Sequence, residues 1–140
     1  MAKICFLEIN VRKFYKEKYP LPSYNDILHP ANIIPFIADM VPNDTIVTTD
    51  VGQHQMWVAQ RYPFKNQKTL LTSSGLGTMG FGLPVAIGAA LANKDKTVVC
   101  FSGDGSILMN IQELATLADL NLNVKVIILT NHHLGLVRQQ

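Results

Sequence analysis

The chain is short of charge, of cysteine and of long apolar runs. Charged residues make up 16% of its 140 positions, and the net charge is only +2. No stretch interleaves Lys or Arg with aromatic residues in the manner of a nucleic-acid strip, so nucleic acid is not an expected partner. The two cysteines, Cys5 and Cys100, stand far apart. Without a Cys-x-x-Cys pair the usual zinc patterns are excluded. Cys100 sits inside an apolar run and reads as a small core residue, not as a disulfide partner. A bilayer span needs about 20 apolar residues; the most apolar later stretch, Met79 to Ala92, is shorter and holds Pro84 and several glycines. Met1 to Tyr19 is basic and partly apolar, but Glu8 and Asn10 interrupt it before a signal-peptide core forms. The expectation is a cytoplasmic, reducing setting with neither membrane nor nucleic acid.

Hydrophobic residues, by contrast, make up 48% of the chain. That fits one domain with a sheet buried on both faces, or a domain that expects neighbours. The organising stretch is Lys96 to Asn131. Thr97-Val98-Val99-Cys100-Phe101 reads as a buried strand leading into Gly103-Asp104-Gly105-Ser106. A helix follows, with Ile107, Leu108, Ile111, Leu114, Ala115 and Ala118 forming one stripe toward the sheet. A second strand, Val124 to Leu129, then closes on Asn131. This βαβ unit puts Asp104 and Asn131 at the carboxyl ends of two parallel strands, the rim where open α/β sheets bind ligands. A carboxylate, an amide oxygen and a nearby main-chain carbonyl supply half of an octahedral shell for Mg²⁺, which diphosphate oxygens and water complete.

Before that unit, residues 1–25 read as a leader or linker, with a short helix near Lys13 to Tyr19 ended by Pro20 and Pro22. A domain over 26–140 begins with a helix from His29 to about Met40, with Ile33, Ile34, Ile37 and Met40 on one face. A strand over Thr45 to Thr49 reaches Asp50-Val51-Gly52-Gln53-His54, and a helix follows from about Gln55 to Arg61. Gln53 and His54 beside a helix start make an anion cradle, or His54 is simply a helix-start histidine. A third strand, Thr69 to Ser73, precedes Gly75-Leu76-Gly77-Thr78-Met79-Gly80 and an Ala- and Gly-rich helix from Phe81 to Asn93. That spacing also matches a dinucleotide fingerprint. Asp104 between two glycines and the downstream Asn131 weigh against a nicotinamide site.

Gly103-Asp104-Gly105-Ser106 with Asn131, 27 positions beyond Asp104, resembles the thiamine diphosphate and magnesium motif. Thr49 to Trp57, Gly75 to Pro84, Met109 to Thr116 and His133 to Gln139 narrow the likeness. Together they resemble the acetolactate synthase (acetohydroxyacid synthase) large-subunit family, in its C-terminal thiamine diphosphate-binding domain. The resemblance covers roughly Leu21 to Gln140 and departs at Thr130, where the family commonly has a second asparagine, and at Lys94, where proline is common.

What the resemblance implies is specific. The fold is α/β, a parallel sheet with helices on both faces, C-terminally incomplete in this chain. Val51, Gly52, Gln53 and His54 contact the cofactor's diphosphate. Gly77 lets the backbone lie against the aminopyrimidine, and Met79 is the apolar wedge holding the cofactor bent. Asp104, Asn131 and the main-chain carbonyl of His133 bind Mg²⁺, with Gly103, Gly105, Ser106, Leu134, Gly135 and Leu136 completing the cofactor site. The full enzyme condenses pyruvate with a second 2-oxoacid, losing CO2, in branched-chain amino-acid synthesis. It carries FAD mainly outside this region, works as a homodimer and takes a regulatory small subunit in some cases. The activating glutamate comes from another domain, so the chain alone is expected to be inactive; a non-catalytic cofactor-binding module or an interaction piece are the alternatives.

Overall fold

A computed structural model of the chain describes residues 23–139. The leader or linker expected over residues 1–25 lies almost wholly outside the described residues, as do the helix near Lys13 to Tyr19 and Cys5.

Four short strands form one parallel sheet: β1 (Ile46–Thr49), β2 (Leu70–Thr72), β3 (Val98–Gly103) and β4 (Val124–Leu129), in the order β2-β1-β3-β4. Helices cover both faces, as the sequence implied: α1 (Pro30–Asp39), α2 (Gln53–Arg61), α3 (Gly82–Ala92), α4 (Asp104–Ile107), α5 (Glu113–Asp119) and α6 (Gly135–Arg138). Alternation along the strands assigns the faces. Ile46, Val98, Cys100 and Val124 pack with Ala86, Ala89 and Ala90 of α3. Val47, Val99 and Phe101 turn the other way, onto Ile34 of α1 and Val58 of α2. Cys100 is a core residue as read, its thiol pushed up to about 11 by burial.

Two expectations are corrected. Met40 is largely exposed because α1 ends at Asp39; Met40 caps it, its N–H donating to the Ile37 carbonyl. The single helix expected after Gly105 is two helices, α4 and α5, separated by residues 108–112. Short-range bonds from Met109 N to Ser106 O and from Asn110 N to Ile107 O tighten that break. The break resets the helical phase. Ile107 stays buried, but Leu108, Ile111, Leu114, Ala115 and Ala118 face outward, and Leu117 and Leu122 meet the sheet instead.

The topology positions a site. The helix after β1, α2, lies on one face, while the helical segment after β3 leaves toward the other. Chain segments leaving adjacent strand ends in opposite directions open a crevice between them, the switch point where ligands bind in such sheets.

Candidate functional site

A cleft of about 350 Å³ opens at that switch point, above the carboxyl ends of β1, β3 and β4. β3 and β4 stay paired to their last residues, Gly103 opposite Leu129, so Asp104 and Asn131 leave the sheet almost level. Asp104 Oδ1 accepts from Gly105 N at 3.1 Å and Oδ2 from His132 N at 2.8 Å. The carboxylate thus grips the turn that carries Asn131. Asn131 Oδ1 accepts from His133 N at 3.2 Å, and its Nδ2 donates to Gln53 Oε1 at 3.1 Å. His133 Nδ1 lies 2.6 Å from the Asn131 carbonyl oxygen, while His132 takes a positive φ of 60°. The His133 ring is therefore tied to the turn's own backbone, while His132 is held by its main-chain N–H on Asp104.

The segment after β1 forms the opposite wall. Val51, Gly52, Gln53 and His54 all line the cleft. Gly52 caps α2 without any side-chain hydrogen bond, leaving the nine-residue helix with its first N–H groups uncapped by a side chain. Ser106 Oγ donates to the Val51 carbonyl at 3.2 Å and ties this wall to the β3 side. His54 is only 6% exposed, yet its Nε2 has no hydrogen-bond partner. Burial lowers its pKa below the usual 6.5, while Asp50, by charge and by its backbone carbonyl, and Asp104 pull it back up.

Gly103, Asp104, Gly105, Ser106, Asn131, His133, Leu134 and Gly135 line the same cleft. A Cβ on Gly135 would overlap the Gln53 side chain, so any larger residue there would displace that amide from its place beside Asn131. Gly77, Met79 and Leu136 lie outside the lining residues. So does the rest of the Gly75–Gly80 run, which follows the edge strand β2 and forms no wall of the cleft.

The structure adds residues that sequence reasoning passed over. His29, Pro30 and Trp57 complete one side of the cleft. His29 caps α1 through Nδ1, accepting from Ala31 N at 3.1 Å, and stacks on Tyr24 at 3.6 Å between ring centroids. A helix starting at His29 was legible in the sequence; its arrival at the distant cleft was not. Asp50 is the other omission: 1% exposed, it accepts from the backbone N–H groups of Val51, Gly80 and Gly82.

The donor set suits a hard cation bridging an anion. Asp104 and Asn131 offer oxygen ligands of the kind Mg²⁺ takes, and among the described residues no group of three His, Cys, Asp or Glu side chains is placed to hold another metal. The start of α2, with amides uncapped by any side chain, borders the same cleft, where a diphosphate would satisfy them; His54, whose buried Nε2 is unpartnered, is among the residues lining it.

Comparison with known proteins points the same way. The family described as "Thiamine pyrophosphate enzyme, C-terminal TPP binding domain" matches residues 50–140. The chain is 58% identical over 121 residues to the acetolactate synthase isozyme 1 large subunit of Escherichia coli (strain K12), covering 86% of this chain and 22% of that protein. It is 52% identical over 127 residues to the acetolactate synthase large subunit of Lactococcus lactis subsp. lactis, covering 89% and 22%. The chloroplastic acetolactate synthase of Arabidopsis thaliana is 48% identical over 134 residues, covering 94% and 20%. Among solved structures, an enzyme isolated from Mycobacterium smegmatis and described as thiamin diphosphate-dependent superposes with a TM-score of 0.66 at 27% identity, covering 72% of this chain and 20% of that one. The chain spans about a fifth of the length of the curated relatives it matches.

Proposed function

Because the chain belongs to the thiamine pyrophosphate enzymes, within their C-terminal cofactor-binding domain, we propose that it is the part of an acetolactate synthase large subunit that holds the diphosphate end of the cofactor through Mg²⁺. The observation carrying this is the meeting of Asp104 and Asn131 at one turn, in the same cleft as the uncapped start of α2 and the unpartnered His54. In this reading Asp104, the Asn131 side-chain oxygen and the His133 carbonyl hold the metal. Val51, Gly52, Gln53 and His54 face the diphosphate, with Gly103, Gly105, Ser106 and the Leu134–Leu136 segment closing around it. Gly77 and Met79 serve the ring end. The proposed domain covers 26–140 as a truncated cofactor-binding domain, and its start near 26 is supported by Ile34 of α1 sharing a core with Val47 and Val58.

Bound thiamine diphosphate would supply a nucleophilic, electron-accepting ring, the chemistry that decarboxylation of one 2-oxoacid and its condensation with another require. This chain's residues hold and orient that group. None is assigned to activate it: Glu113 sits on α5, where its carboxylate accepts from Thr116 Oγ1 at 3.0 Å. Pyruvate, with a second pyruvate or 2-oxobutyrate, is the proposed substrate pair, branched-chain amino-acid synthesis the proposed setting and the cytoplasm the proposed compartment. The remaining large-subunit domains, with their FAD, a second large subunit and a regulatory small subunit are the proposed partners. Calorimetric titration with thiamine diphosphate tests the reading. Binding that requires Mg²⁺, without acetolactate formation from pyruvate by the chain alone, is the expected result; no binding, or binding indifferent to Mg²⁺, refutes it.

A further inference from the structure

Gly80 is held from both sides. Its N–H donates to Asp50 Oδ1 at 2.9 Å, and its carbonyl accepts from Asn110 Nδ2 at 2.7 Å. Its φ of 89° and the packing of Asn110 and Met109 where a Cβ would stand leave room only for glycine. Asp50 Oδ2 meanwhile takes Gly82 N at 2.9 Å, and Gly82 O accepts from Thr48 Oγ1 at 3.1 Å. The other end of the segment closes on itself, with Gly77 N on Ser73 O and Thr78 N on Ser73 Oγ. The Gly80–Gly82 end is fastened to the end of β1 and to the segment after β3.

Asp50 is a costly way to close a loop. Its carboxylate is 1% exposed and does not line the cleft, and a buried charge is tolerated only when well bonded. A carboxylate accepts all three converging N–H groups at once, whereas an amide would turn its own NH2 on one of them. Asn110, from the break between α4 and α5, completes the grip. That break is the feature that sequence periodicity missed, and the clamp gives it a purpose.

We propose that Asp50 and Asn110 are positioning residues that hold Gly80 from both sides and thereby set Met79 and the preceding glycine run against the ring end of the cofactor. The inference rests on the function proposed above and goes beyond it, because neither residue need touch the cofactor. Two probes separate the ends of the ligand: thiamine diphosphate, and inorganic pyrophosphate, which lacks the rings, each titrated with Mg²⁺. Losing one hydrogen bond of this grip in Asn110→Ala is expected to weaken thiamine diphosphate about five- to tenfold, with pyrophosphate affinity within about twofold of wild type. Asp50→Asn is expected to weaken thiamine diphosphate more than pyrophosphate by at least the same ratio. A merely structural role would lower both affinities together or leave both unchanged, and either pattern in Asn110→Ala overturns the proposal. Should Asp50→Asn not fold, Asn110→Ala decides alone. Wild-type protein that binds neither probe would defeat the functional reading itself; wild-type binding with an unaltered ratio in the variants defeats only this inference.

Discussion

Both carboxylate oxygens of Asp104 already accept a backbone N–H, yet each retains a lone pair for a cation. Asp104→Asn preserves size and one acceptor while removing the charge. Its Mg²⁺-dependent thiamine diphosphate affinity should fall about 10- to 100-fold, with the circular dichroism spectrum unchanged; wild-type affinity would take Asp104 out of the metal's shell. His54 makes a prediction of opposite kind, about stability. Burial depresses its pKa below 6.5, so the unfolded chain binds more protons between the folded pKa and 6.5. Its contribution is complete above pH 6.5 and is lost as pH falls through the folded pKa. Thermal melts of the ligand-free chain should therefore show Tm declining below that pH, and His54→Gln should flatten that part of the profile. An identical slope in the variant would place the titration elsewhere.

Elements differ in how openly their sequence announces them. β3 and β4 were legible because buried parallel strands are written as unbroken apolar runs, and β4 keeps the expected bounds, Val124–Leu129. α2 begins at Gln53 instead of Gln55 because Gly52, not a capping side chain, starts it. The segment after β3 misled for a physical reason. Apolar spacing alone cannot reveal that Asn110 is drawn aside to Gly80, interrupting the helix and shifting its phase. The observed packing reverses the expected order of side chains. Leu117→Ala, which removes a side chain packed between α3 and the sheet, should cost about 1–3 kcal/mol. Leu114→Ala, on the outward face, should stay within about 0.5 kcal/mol. Urea midpoints at constant m-value measure both, and equal shifts would restore the single-stripe helix.

At the scale of the whole molecule, the half-cleft and the apolar surface belong to one argument. Asp104 and Asn131 could be picked out from sequence because their ligand chemistry is local to two strand ends; what surrounds the cleft could not, because His29 and Trp57 reach it only through the packing of α1 on α2. The same holds for the outer surface. Leu108 is 63% exposed, Met109 55% and Ile111 45%, and Leu114 follows on the same break and helix. Large apolar side chains left exposed together along one segment mark an interaction face more often than bare surface. The chain spans about a fifth of its relatives' length, so other parts of a large subunit are the proposed cover. Without them, hydrophobic association should bring copies of this chain together through that face. Sedimentation velocity over a wide concentration range should show reversible self-association, and Ile111→Glu with Leu114→Glu should abolish it. The same double variant should keep wild-type Mg²⁺-dependent thiamine diphosphate affinity, because neither side chain lines the cleft. A strictly monomeric wild type would mean that the patch is tolerated in water without a partner. Persistent association in the variant would move the contact to another face.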